Sequence, residues 1–343
     1  MIIQPNKLFK ICIIFSCFFI IQQIDAAFYS KTFCEKTESS LFRSDDFIIY
    51  FPSESDTLIS VADRFLGDSF FAWRISEFNQ ITGIKAGKGI CIPLKPVYPG
   101  GIKPEGLQNV PILAYHRFGK KAKGDIVVSE ENFRQQLQLL KEKGFITINL
   151  SMFVDFLNMK QDIPEKSIII TIDDGYKSVY EIAFPILQEF GFKAELFIYT
   201  DFIGQSPNAL TWTQLATMQE NGFSVESHSK SHSSLVTKYE NETSVDYQKR
   251  IYNELADSKK ILETKLKSDI KFIAYPYGSF NDEIIELSKK AGYIGGVLAY
   301  PGTNTIFNSP FHLNRFIISS EDDLTKFSTY LETLESYAND YKL

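Results

Sequence analysis

The sequence predicts an α/β chain: an irregular (β/α) barrel of seven or eight strands, preceded by a small α+β unit of βααβ order. Three observations carry this. From Val110 onward, short apolar runs alternate with amphipathic segments, the pattern of a parallel sheet joined by crossover helices. Ahead of them, residues 47–95 hold a compact set of short elements that ends in a stretch rich in Pro and Gly. With 343 residues, 44% hydrophobic and 23% charged, the chain is long enough for two domains with cores of their own.

The first 26 residues stand apart. Lys7 and Lys10 precede an apolar stretch from Ile11 to Ile21, and small residues follow at Ala26 and Ala27. That order is expected of a secretory signal peptide. The apolar stretch is shorter than the roughly 20 residues of a membrane span, so no stable span is expected after cleavage; an uncleaved anchor is the weaker alternative. Export to a periplasmic, extracellular or cell-wall location follows from this reading. Cutting after Ala26 removes two Lys and one Asp and takes the formal charge from −6 to −7. It also removes Cys12 and Cys17, leaving Cys34 and Cys91 either to pair in an oxidising compartment or to remain as two thiols.

In the small unit, Phe47 to Phe51 reads as a strand. Asp56 and Thr57 cap a helix with apolar spacing at Leu58, Val61, Ala62 and Phe65. A second helix is expected over about 70–78 with Asn79 at its end, then a closing strand from Gly89 to Pro93. The run from Pro93 to Pro104 opens a linker over 96–109, expected to be extended rather than packed.

The domain over 110–338 offers strands at 112–115, 145–149, 167–172, 194–198, 223–226, 271–275, 293–298 and, weakly, 316–318. Ser129 caps a helix bearing Phe133, Leu137 and Leu140; Ile251, Leu255, Leu262 and Leu266 form the stripe of another. In a (β/α) barrel the carboxyl ends of the strands carry the chemistry. His116 follows the first strand, Asp173-Asp174-Gly175 the third, His228 the fifth and Pro276-Tyr277-Gly278 the sixth, so four strands deliver polar groups to one mouth. One Asp-Gly suffices for a turn; adjacent carboxylates can divide labour, one on a metal and one free as a base. His228 and His232, four residues apart, can share an ion if the segment turns as a helix. The chain has only four His, the other two being His116 and His312. A net charge of −6 with no basic block leaves nucleic acid without an electrostatic footprint.

Thr171-Ile-Asp-Asp-Gly-Tyr176, His228-Ser-Lys-Ser-His232 and Ala274-Tyr-Pro-Tyr-Gly278 resemble, in order, the first three motifs of the polysaccharide deacetylases of carbohydrate esterase family 4. Val110-Pro-Ile-Leu-Ala-Tyr-His-Arg117 and Phe311-His-Leu-Asn-Arg315 are similar to segments of one branch of that family. The resemblance implies a divalent metal, with Zn2+ the expected ion, held by Asp174, His228 and His232. It implies Asp173 as general base and the Tyr277 backbone N–H as oxyanion donor. The products would be acetate and a free amino sugar.

The sequence departs from the family where the general acid and the clamp on the base are concerned. Arg315 stands where many members carry the acidic His, and Ala274 replaces an Arg that often fixes the base, so that clamp is expected to be missing. The strand-end His116 is favoured as acid over His312, by analogy with the branch whose strand order is permuted.

The small unit resembles a LysM domain through Ser55 to Asp68, Ile75 to Gly83 and Ile84 to Pro93. This implies binding of an N-acetylglucosamine glycan through Asp56, Thr57, Leu58, Ile81 and Thr82, although Asp56 and Thr57 also read as a helix cap and Ile81 as core. The expected partner is an acetylated amino-sugar polysaccharide: peptidoglycan, or an exported poly-N-acetylglucosamine. An inactive glycan-binding barrel is disfavoured by the intact Asp-Asp and His-x-x-x-His sets, and a small-molecule amidohydrolase by the first 104 residues.

Overall fold

A computed structural model of the chain describes residues 41–121 and 124–337. The expected signal peptide and Cys34 lie outside the described residues. No helix among the described residues is long and apolar enough to cross a membrane.

The small unit begins with β1 (Leu41–Arg43) and β2 (Phe47–Tyr50), followed by α1 (Leu58–Leu66), α2 (Ala72–Asn79) and β3 (Ile90–Pro93). The strands form one antiparallel sheet in the order β1-β2-β3. Thr57 caps α1: its Oγ1 accepts the Ser60 N–H at 3.1 Å while Ser60 Oγ accepts the Thr57 N–H at 2.9 Å, a reciprocal capping box. The second helix begins later than the apolar spacing suggests, because the Asp68 carboxylate accepts the Phe70 N–H and draws Ser69–Phe71 into a 3-10 turn. Asn79 does not cap α2. Its amide donates to the Cys91 carbonyl at 2.6 Å and accepts the Cys91 N–H at 2.9 Å, tying helix to sheet. Ile48, Tyr50, Val61, Ala62, Ile75, Ile90 and Ile92 form the core.

The Pro/Gly stretch expected as an extended linker is packed instead. After a turn through Gly100 and Gly101, β4 (Ile102–Lys103) and β5 (Gly106–Gln108) form a hairpin, and β5 also pairs with residues 334–336 at the far end of the chain. A strand partner more than 200 residues away leaves no local signal, so composition alone reads as a linker.

The barrel domain follows as β6 (Ile112–Tyr115), β7 (Arg117–Gly119), β8 (Val127–Ser129), α3 (Glu130–Glu142), β9 (Ile146–Thr147), α4 (Leu150–Leu157) and β10 (Ser167–Asp174). It continues through α5 (Phe184–Phe190), β11 (Glu195–Ile198), α6 (Trp212–Glu220), β12 (Ser224–Ser227), α7 (Ser244–Leu266), β13 (Phe272–Ala274) and α8 (Asp282–Lys290). The last elements are β14 (Gly295–Val297), β15 (Phe316–Ile317), α9 (Leu324–Thr329) and β16 (Leu334–Ser336). The main sheet is parallel in the order β14-β13-β12-β11-β10-β6-β15, with β9 on the start of β10. Its two edges approach each other through a single bridge between Val297 and Leu313, an irregular closure of the expected (β/α) barrel.

The period-two alternation of β10 sets the site. Ile168, Ile170 and Ile172 face the helices, whereas Ile169 joins Ile112, Phe197, Phe272, Val297 and Leu313 inside the barrel. Thr171 and Asp173 share the parity of Ile169, so the first of the two aspartates faces the barrel axis.

Candidate active site

Asp173 and Asp174 end β10, His228 directly follows β12, and Ala274 ends β13, so all meet at the carboxyl-terminal mouth. Asp174 Oδ1 lies 3.6 Å from His228 Nε2 and 3.4 Å from His232 Nε2, and the three possible ligand atoms fall within 4.8 Å of one another. His228 Nδ1 donates to the Ala274 carbonyl at 2.7 Å, which leaves the Nε2 lone pair facing Asp174. Burial pushes His228 down to about 3 and also lowers His232, so both imidazoles are neutral at pH 7, as ligation requires. Burial pushes Asp174 up to about 6, a cost that a bound cation would relieve. Two neutral imidazoles and a carboxylate, with no fourth protein ligand among the described residues, fit a catalytic divalent metal.

Asp173 stands apart from this trio. Arg315 grips it with both ends of its guanidinium, Nη1 to Oδ1 and Nη2 to Oδ2 at 2.7 Å each. Arg315 is itself fixed: Nε donates to the Leu298 carbonyl at 2.7 Å and Nη1 to Thr171 Oγ1 at 3.0 Å. The expectation of a missing clamp is therefore corrected. The arginine comes from the segment just before β15, which bridges β14 through Leu313 and leads into the strand beside β6, the neighbour of β10. Burial works to raise Asp173, but Arg315, through its charge and its hydrogen bonds, outweighs it and holds the carboxyl at about 2.

Of the two candidate acids, His116 lies at the mouth, its Nε2 4.0 Å from Asp173 Oδ2, with Nδ1 buried and unpartnered. His312 instead packs its ring on Phe280. Tyr277 holds a left-handed backbone (φ 60°), and its exposed ring stands edge-on to His232 at 4.8 Å. Asp174, Ser229 and His232 also have φ between 61° and 78°, so four non-glycine residues with positive φ cluster at the site, each costing about 1–3 kcal/mol. Gly175 and Gly278 make the accompanying turns; a Cβ on Gly278 would stand 2.7 Å from that of Ala299. An aromatic rim that composition did not reveal surrounds the mouth. Tyr199 stacks on Phe202 and abuts His232, and Arg117 lies over Tyr176.

In the small unit, Asp56 is a structural hub. It accepts from Tyr50 Oη, the Ser53 N–H and Arg64, with the Tyr50 bond foremost in holding it at about 2. Thr57 caps α1, Leu58 and Ile81 are half-buried on the core, and Thr82 is exposed.

A sequence profile of the polysaccharide deacetylase family matches residues 160–295. YxkH of Bacillus subtilis (strain 168), whose name provisionally calls it a polysaccharide deacetylase, is 30% identical over 234 residues, covering 68% of this chain and 80% of that protein. The poly-beta-1,6-N-acetyl-D-glucosamine N-deacetylase of Staphylococcus aureus (strain MRSA252) is 28% identical over 199 residues, 57% of this chain and 68% of the relative. The solved Streptococcus pyogenes deacetylase PplD, in complex with acetate, superposes with a TM-score of 0.60 at 25% identity, covering 66% of this chain and 99% of PplD. The chain belongs to the polysaccharide deacetylase family and is a polysaccharide N-deacetylase.

Proposed function

We propose that this chain is a secreted, metal-dependent enzyme that removes acetyl groups from the N-acetylglucosamine residues of an extracellular polymer, with poly-N-acetylglucosamine the first candidate. The observation that carries the reading is an Asp174–His228–His232 group beside a second, separately clamped carboxylate, Asp173. The substrate class is supported by the named activity of the staphylococcal relative. Export rests on the basic, apolar and small-residue order of residues 1–27.

Asp174, His228 and His232 would hold the ion, Zn2+ by the nature of the donors. A divalent metal there supplies a Lewis acid for the acetamide oxygen and makes water more acidic. Asp173, kept ionised and correctly turned by Arg315, takes the proton as water oxygen bonds to the acetyl carbon. The backbone N–H of Tyr277, in its turn at the mouth, is assigned to the developing oxyanion. As the C–N bond breaks, His116 gives a proton to the leaving amine, and acetate and the free amino sugar depart. The small unit, with βααβ order and an added edge strand in support of the LysM reading, is assigned to glycan binding through Thr57, Leu58, Ile81 and Thr82, with Asp56 holding their turn through Tyr50, Ser53 and Arg64.

Acetate release should be measured on poly-β-1,6-N-acetylglucosamine, chitooligosaccharides and N-acetylated peptidoglycan, with and without chelator. Release from the first, abolished by chelator and by Asp174→Asn, is expected. Release from peptidoglycan alone would reassign the substrate to the cell wall, and undiminished release by Asp174→Asn would end the metal assignment.

A further inference from the structure

The glycan-binding reading of the small unit, on which this inference rests, gains a spatial consequence from where that unit sits. Its hydrogen bonds and packing contacts with the barrel, among the described residues, lie at the amino-terminal end of the strands. Glu77 of α2 accepts the N–H of Glu165, two residues before β10, at 3.0 Å. The chain leaving β3 is held there too, since the Val97 N–H donates to the Asp162 carboxylate. Phe70, at the head of α2, packs against the barrel's inner cluster and lines a groove with Phe145, Phe190 and Phe192, all of which lie near the starts of β9 and β11. Arg74 is buried in the same seam, where its charge is coupled to Asp162.

The chemistry lies at the other end. Asp173 and Asp174 close β10, whose 8 residues run roughly 23 Å along a strand inclined to the barrel axis by about 36°, which sets the mouth about 19 Å above the floor. A short glycan held by the small unit cannot also lie across the mouth, because it would have to run the height of the barrel and turn over its rim.

We propose that the small unit and the mouth engage separate glycan strands, the protein gripping one strand at the barrel floor while it deacetylates another at the top. The partner of the floor surface is thus an uncharged N-acetylglucosamine polymer that is not the chain under attack. The enzyme works as a bridge between neighbouring strands of a matrix rather than as a clamp sliding along one.

Calorimetry on the full-length Asp173→Asn/Arg315→Met chain, which keeps all three metal-ligating side chains and leaves no buried charge unpaired, tests this with metal present and β-1,6-linked N-acetylglucosamine oligomers of increasing length from the tetramer. Two oligomers per chain at every length, with flat affinity, is the expected result. If both sites share one strand, stoichiometry falls to one as length grows and affinity rises by about 10²–10⁴-fold through effective concentration; that outcome overturns the proposal and leaves the glycan-binding reading standing. One oligomer per chain at every length, without any gain in affinity, overturns the glycan-binding reading and the proposal with it.

Discussion

Arg315→Met isolates what the clamp on the base is worth. Arg315 and Asp173 are 1% and 2% exposed, and the pair is bidentate, so methionine would leave a carboxylate buried without its cation. Removing one partner of such a pair costs about 3–5 kcal/mol. The electrostatic side can be worked separately. Asp173 sits at about 2 rather than 3.8, which corresponds to roughly 2.4 kcal/mol in favour of the charged form at about 1.4 kcal/mol per unit. Without Arg315, the burial that opposes this acts alone and the carboxyl rises above its ordinary value. Arg315→Met should therefore lose several kcal/mol in urea unfolding and nearly all acetate release. Replacing the second partner as well, in Asp173→Asn/Arg315→Met, should restore much of the lost stability and none of the activity, because the unpaired charge is gone. A double variant no more stable than Arg315→Met, or a single variant within about 1 kcal/mol of wild type, would refute the reasoning.

Other expected outcomes follow from the same geometry. His116→Ala should bind metal as wild type does, by inductively coupled plasma analysis, yet lose about 10²–10⁴-fold in kcat, whereas His312→Ala should keep its turnover. Gly278→Ala should destabilise by more than the about 1–2 kcal/mol of a left-handed alanine, since its Cβ meets Ala299, and a thermal melt that does not move would contradict the close approach. Glu195, buried at the barrel floor with one oxygen unpartnered and the other on the Leu150 N–H, is pushed by burial from 4.5 up to about 7. The folded state then holds a proton that the unfolded state releases, so stability present below pH 4.5 is lost as pH rises to about 7, on the order of 3 kcal/mol in all. Glu195→Gln should flatten that fall in urea titrations at pH 5 and pH 8; an unchanged slope would place the dependence elsewhere, with Glu226 as the neighbouring carboxyl to examine next.

The motif residues were legible in the sequence because His116, Asp173, Asp174 and His228 lie where a strand ends, with His232 in the loop that follows β12. Strand runs at 112–115, 167–172 and 194–198 are local facts of β-branched and aromatic composition, and alternation along β10 already turns Asp173 inward. His116, Asp174 and His228 needed only the rule that strand ends converge in a barrel. Asp56 was legible as part of a turn but not as the acceptor for Tyr50 and Arg64, since three groups from separate elements meet there.

The scarce histidines and the adjacent aspartates, then, were determined by sequence alone: a motif carries its own chemistry, and the periodicity of a strand carries its direction. Tertiary structure alone decided the partners. Arg315 meets Asp173 from 142 residues away, Leu334–Ser336 turns an apparent linker into a sheet, and the small unit sits on the floor of the barrel rather than at its mouth. These are contacts between segments whose separation along the chain leaves no periodic trace, and only the closing of the barrel brings them within the reach of a hydrogen bond.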